Sequence, residues 1–236
     1  MVAIWKRELG NYFKTTIGYV FMGFFLLVSG ILFTFNNLFG GSGNIPAMLS
    51  SISMVPIFLT PVLTMRLFSE ERKNKSEQLL LTSPLSLTSI VGGKFLAAFT
   101  VWMATLVGTF LYVLIVGTYG TLYWGEIITS YLGFILMGAC FISVGELISA
   151  TTENQVTAAV ISIGINFFLW VIDSVIYVVP VQFISTILQW FSLYARFDTF
   201  IQAQLGVSGI LYFLSFIVVF LFLTIRVIDK RRWSEG

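Results

Sequence analysis

The chain contains no histidine and a single cysteine. The first absence removes His-ligated zinc, bis-histidine haem and the Ser-His pair of hydrolases. The second removes a disulfide framework and any paired-thiol redox motif. The lone Cys140 sits in an apolar tract and reads as a small core residue. Charge is scarce too: 10% of the 236 residues are Asp, Glu, Lys or Arg, against 57% hydrophobic. A soluble globule needs far more polar surface, so the composition is that of an integral membrane protein. A net charge of +2, dispersed and not interleaved with aromatic residues, leaves no footprint for nucleic acid. No GxxxxGK[ST] run occurs. Around Gly92-Gly93-Lys94, Phe95 stands where that motif needs Ser or Thr and Thr88 where it needs the first glycine. The two glycines read instead as close packing at the start of a helix. No intramembrane pair of aspartates suits an aspartyl protease, so the chain reads as a non-enzyme.

What is present is long apolar tracts. From Thr15 to Met65 there is no charged residue, and those 51 positions are about twice what one helix needs to cross roughly 30 Å of hydrocarbon at about 1.5 Å per residue. Two spans share the tract, broken in the turn-rich stretch Asn36 to Asn44, with Pro46 placed to start the second. Further tracts complete six spans at about 17–36, 46–66, 91–118, 128–149, 156–178 and 208–228. The first is full span length and has no small-x-small cleavage site, so it is not expected to be a signal peptide. Ahead of it, Trp5, Leu9 and Phe13 recur at four-residue spacing, with Lys6, Arg7 and Lys14 elsewhere around the turn. Residues 1–15 therefore read as an amphipathic helix lying in the membrane interface. Lysine and arginine gather on the cytoplasmic side. With six spans, Lys6, Arg7, Lys14, Arg66, Arg72, Lys73, Lys75, Lys94, Arg226, Lys230, Arg231 and Arg232 share the side of both termini, leaving Arg196 opposite. Both termini and the 66–94 loop are expected in the cytoplasm.

The densest polar segment, LFSEERKNKSEQLLLTSPLS over 67–86, falls in that loop. Ser69 can cap a helix whose first turn holds Glu70 and Glu71, followed by Arg72, Lys73 and Lys75, which suits the helix dipole. Thr82-Ser83-Pro84 ends the element, and Ser86 or Thr88 can cap the third span. Read from pattern alone, the segment is also compatible with a solvated hairpin.

The runs Thr64-Met65-Arg66-Leu67-Phe68-Ser69-Glu70-Glu71-Arg72, Glu77-Gln78-Leu79-Leu80-Leu81-Thr82-Ser83-Pro84 and Gly93-Lys94-Phe95 resemble the signature of permease subunits of type 2 ABC exporters. The similarity is nearest to the gliding-motility-associated permeases. It continues through Ile17-Gly18-Tyr19-Val20-Phe21, Thr151-Thr152-Glu153-Asn154-Gln155 and the run from Arg226 to Trp233. The resemblance implies an all-α membrane protein of six transmembrane helices in a bacterial inner membrane. It would have an N-terminal elbow helix, a coupling helix over 69–84 and outer helices over 180–205. It also implies a separate ATPase subunit holding ATP and Mg, no cofactor on this chain, and a second permease, identical or related. The ATPase contact would be made by Ser69, Glu70, Glu71, Arg72, Lys73, Lys75, Glu77, Gln78, Thr82 and Ser83, with Thr152, Glu153 and Asn154 as a smaller second contact.

Charges inside spans are functional candidates because they are costly to bury. Glu146 lies about one turn from the cytoplasmic end of span four, where snorkelling to the interface would explain it. Asp173 lies near the outer end of span five, where it can face a vestibule. Asn166 in span five, and Ser143 with Gly145 in span four, are candidates for interhelical contacts. Glu146, Asn166 and Asp173 are the candidates for a substrate path or gate. In the outer segment, Arg196 and Asp198 are expected at the headgroup boundary. Two other functions stay open on the residues alone, an ion-coupled secondary transporter and a membrane scaffold subunit. Neither a charged midplane site nor inverted repeats are evident to favour the first.

Overall fold

The computed structural model describes residues 1–75, 85–176 and 192–234, and among these it is all helical, without strands. In chain order the helices are α1 (Val2–Lys14), α2 (Ile17–Phe33) running into a π-helical turn (Thr34–Phe39), α3 (Ile45–Ile52), α4 (Val55–Thr64) and α5 (Ser69–Lys73). They are followed by α6 (Leu87–Val116), α7 (Trp124–Thr151), α8 (Gln155–Ile176), α9 (Leu193–Ile201) and α10 (Val207–Ser234). By length and composition, α2 with its π turn, α6, α7, α8 and α10 can each cross a membrane. The bent pair α3 and α4 makes a sixth if it counts as one span.

The stretch expected as the 46–66 span is therefore bent. The axes turn by 57° between Ile52 and Val55. Pro56 explains it: the ring carries no N–H and would clash with the carbonyl four residues back, that of Ile52, where α3 ends. The start of α3 follows local rules, with Asn44 Oδ1 accepting from the Ala47 amide at 2.9 Å and Pro46 in the first turn. Between α2 and α3 the chain turns at Gly41, whose φ of +62° an L side chain rarely adopts. Buried Asn37 stitches this turn by donating to the Ser42 carbonyl at 2.8 Å.

The bundle is organised on α7. In its most apolar window 72% of the residues are buried, against 17% for α10. Glycines let neighbours approach it closely. A Cβ on Gly138 would stand 2.3 Å from Trp102 Cε2 of α6, and one on Gly145 2.1 Å from Thr64 Oγ1 of α4. Gly145 is thus an interhelical contact, whereas Ser143 donates to the Cys140 carbonyl of its own helix. Cys140 is a buried free thiol in this core. Trp102 anchors an aromatic cluster with Phe25 and Phe134, each at 5.4 Å between ring centroids. Large apolar side chains such as Phe24, Val107, Leu111, Leu211 and Val218 are exposed on the outside of the bundle. On a bundle of apolar helices these side chains form the surface that meets lipid.

Candidate functional site

The charged segment after α4 builds a cluster with α1 and the start of α6. Ser69 is not the cap of α5. It lies inside the helix, buried, and its hydroxyl donates back to the Met65 carbonyl. The amides of Phe68 and Ser69 go instead to Ser149 Oγ of α7, at 3.1 and 3.3 Å, and that hydroxyl donates to Met65 O at 3.1 Å. A residue 80 positions away does the capping, which no local pattern could reveal. Ser86 caps α6, accepting from the Ser89 amide at 3.3 Å.

Each of the next three charges is engaged within the chain. Glu70 receives a two-pronged contact from Arg66, at 2.6 and 2.8 Å. Glu71 pairs with Arg7 of α1 at 2.9 Å and with Lys94 of α6 at 3.0 Å. Arg72 reaches Glu153 at 2.8 Å and the Thr151 carbonyl at 3.1 Å, so the 151–155 turn lies against α5. Lys73, Asn74 and Lys75 are exposed beyond these pairs, and Glu153 and Asn154 are exposed as well. Thr152 accepts from the Asn154 amide at 3.2 Å, and Asn154 Oδ1 caps α8 by accepting from Val156 N at 2.9 Å. Glu77, Gln78, Thr82 and Ser83 lie outside the described residues, as does the outer segment up to residue 191.

Lys94 is not a loop charge. It lies in the second turn of α6 and is 1% exposed. Its ammonium donates to Glu8 Oε1 at 3.4 Å and to the Leu67 carbonyl, and stands 4.8 Å from the centre of the Phe68 ring. Glu8 in turn accepts from Arg7 at 2.5 Å. The buried stripe of α1 is therefore Ile4, Glu8 and Tyr12, with Trp5, Leu9 and Phe13 only partly buried beside it. A carboxylate is tolerated on that stripe because two cations meet it. Burial pushes the Glu8 carboxyl up, but Lys94 and Arg7 together outweigh it and hold the group below its usual range. Burial drives the Tyr12 phenol well above its usual range. It stays neutral and donates to the Leu63 carbonyl at 2.7 Å. A polar cleft of about 430 Å³ opens over this cluster, rimmed by Asn11, Arg66, Glu70 and Asn74.

Glu8, Tyr12 and Ser149 escape the sequence reading. One signal for the cluster was present: Lys94 is the lone charge between Leu85 and Gly125, and a cap at Ser86 puts it two turns inside a helix.

Of the intramembrane candidates, Glu146 lies within electrostatic reach of Lys94 and Tyr12, whereas Asn166 and Asp173 lie apart from the cluster. Glu146 does not snorkel: it is fully buried, and neither carboxyl oxygen has a hydrogen-bond partner among the described residues. Gly145 explains why, since it seats this part of α7 directly on α4. Asn166 is buried and donates to Thr60 Oγ1 at 3.5 Å, leaving its Oδ1 without a partner among the described residues. Half-buried Asp173 accepts from Ser192 Oγ at 3.3 Å, tying α8 to the first turn of α9, which Ser192 caps. Arg196 lies 5.5 Å from the Tyr212 ring, and Asp198 accepts from Gln202 at 2.6 Å.

Set against known proteins, residues 44–233 match the family described as ABC-2 family transporter protein, a stretch that takes in α3 through α10. No curated protein matches the chain. An all-helical bundle with up to six apolar spans agrees with that family. The chain belongs to the ABC-2 transporter family, as the membrane permease component of an ABC transporter and not its ATPase.

Proposed function

We propose that the chain is the transmembrane subunit of an ATP-driven exporter of the bacterial inner membrane, with both termini cytoplasmic and a second permease, identical or related, beside it. Separate ATPase subunits carrying ATP and Mg dock on α5 and on the 151–155 turn. ATP binding draws the ATPases together, and the displacement of α5 rocks the bundle between inward-open and outward-open states. In this reading α1 is the elbow helix, α5 opens the coupling segment, and α9 belongs to the outer exit. The likeness to the gliding-motility-associated permeases stands as part of the same proposal.

The observation that carries it is the form of α5. It is a five-residue, mixed-charge helix rooted by ion pairs to α1, α6 and the turn after α7, with Lys73, Asn74 and Lys75 exposed at its tip. A soluble partner meets such a tip through polar and charged contacts. The test is a pull-down in mild detergent from native membranes, comparing wild type with Lys73→Glu/Lys75→Glu. Wild type is expected to retain an ATPase and the reversal to lose at least about tenfold of it, the scale of a 1.4 kcal/mol loss. Absence of any nucleotide-binding partner from the wild-type material would sink the reading. Reversing Glu70 and Glu71 is a poorer test, because both belong to internal pairs. Buried Glu146, whose oxygens have no hydrogen-bond partner among the described residues, favours ion-coupled transport as the second reading.

A further inference from the structure

Resting on the reading of α5 as the ATPase contact, we infer that Lys94 is a positioning residue that joins α1, α5 and the start of α6 into one moving body. A push on α5 then reaches two further helices at once.

The geometry is a closed ring of four charges. Lys94 meets Glu8 and Glu71, and Arg7 meets the same two carboxylates. Two cations and two anions cancel. The third partner of the Lys94 ammonium, the Leu67 carbonyl, belongs to the turn that connects α4 with α5. An ammonium has three donors. Here it meets three different elements, hydrogen-bonding to α1 and the connecting turn and forming an ion pair with α5.

The backbone is shaped for this ring. A Cβ on Gly93 would stand 2.9 Å from Ile4 Cβ and 3.1 Å from the Met1 carbonyl, so α1 lies flush on the face of α6 just before Lys94. Glu8 follows Ile4 by one turn and so arrives over the ammonium. Trp5 Nε1 donates to Thr100 Oγ1 at 3.0 Å and fixes the rotation of α1 about its axis.

Apolar packing would hold α1 on α6 without any lysine. It would not hold α5, in which Ser69 is the one buried residue and whose other attachments are ion pairs and hydrogen bonds, the Ser149 cap among them. A buried charge pair contributes little net stability against an apolar substitute, but it fixes geometry. In a low-dielectric setting such a ring is kept or lost as a unit. With Lys94 in place, α5 cannot shift without carrying Glu71, Lys94 and Glu8. Without it, α5 keeps its Ser149 cap, the Arg72 contacts and the Arg7–Glu71 pair at the exposed corner, but loses its charged link to α6.

The test is hydrogen exchange on the purified permease–ATPase complex, with and without ATP plus vanadate. In wild type, nucleotide is expected to change exchange in α1, residues 69–75 and the first turns of α6 together. In Lys94→Met, of similar length and neutral, the ATPase is retained and 69–75 still responds, but the α1 response falls at least threefold. Lys94→Arg, which keeps the charge, restores part of it. A full α1 response in Lys94→Met overturns the inference. If Lys94→Met does not fold, Arg7→Gln opens the ring at its exposed corner and is read in the same way, with a smaller loss expected. If wild type captures no ATPase, the exporter reading fails on its own. The joint is then read on the permease alone: Lys94→Met should speed exchange in α1 and 69–75 together, and a change in one segment or neither overturns it.

Discussion

Lys94 and Glu146 look alike in the sequence. Each is the lone ionisable residue within roughly two turns of the same side of an apolar helix, and each is buried, at 1% and 0% exposure. Their surroundings are opposite. Lys94 has two hydrogen bonds and an ion pair, drawn from three elements. Glu146, on a face of α7 closed by the Gly145–Thr64 contact, has no hydrogen bond at either oxygen among the described residues. Burial alone therefore does not assign a role to a charge inside a bundle. Counting its partners separates a joint, which holds elements together, from a group the fold carries without using it for cohesion.

The contrast breaks most readily at Lys94. Lys94→Ala leaves Glu8 and Glu71 to Arg7 alone and opens a gap beside Phe68. Removing one partner of a buried pair costs about 3–5 kcal/mol. Thermal unfolding of the purified permease in one detergent should show that loss. A change near zero would mean that Arg7 alone satisfies Glu8 and Glu71, and that the ring is no joint.

How much of this could be read beforehand follows from how far apart the partners lie. The all-helical membrane class rests on long uncharged tracts, a property of each stretch by itself, and the helix starts at Asn44 and Ser86 rest on side chains within three residues of the amides they cap. The Arg66–Glu70 pair is one helical turn apart and equally local. The bend at Pro56 was available to the same rules, with Ser50, Ser51 and Ser53 just ahead of it, but no charge marks it. The candidate site was legible as a segment and not as a geometry. Glu71 meets Arg7 from 64 positions away and Ser149 caps α5 from 80, so which charges face outward depends on packing. Glu8 hides because an amphipathic reading puts every charge on the wet face, and Lys94 and Arg7 together make its burial tolerable.

A smaller effect comes from acid. The Glu8 carboxyl titrates below its ordinary 4.5 because Lys94 and Arg7 outweigh the burial that opposes them. Above 4.5 the group is charged in the folded and unfolded chain alike, and its contribution to stability is fully present. As pH falls through the lower folded value the contribution is lost. The gap in melting temperature between wild type and Glu8→Gln should therefore be constant from pH 7 to about 5 and narrow below that. A gap that stays constant down to pH 3 would show that Glu8 carries no charge in the ring.

The smallest loss is expected at Glu146, and it sharpens the contrast. Glu146→Met keeps the length of the side chain and removes two buried oxygens that have no hydrogen bond to give up. Burying an unpartnered polar group costs about 1–3 kcal/mol by mutational measures. The variant should therefore unfold at or above the wild-type temperature in the same detergent assay, while Lys94→Ala unfolds well below it. A loss at Glu146→Met approaching that of Lys94→Ala would mean that the folded protein gives this carboxylate a partner from outside the chain, such as water or a cation. It would then become the first residue to examine for ion coupling.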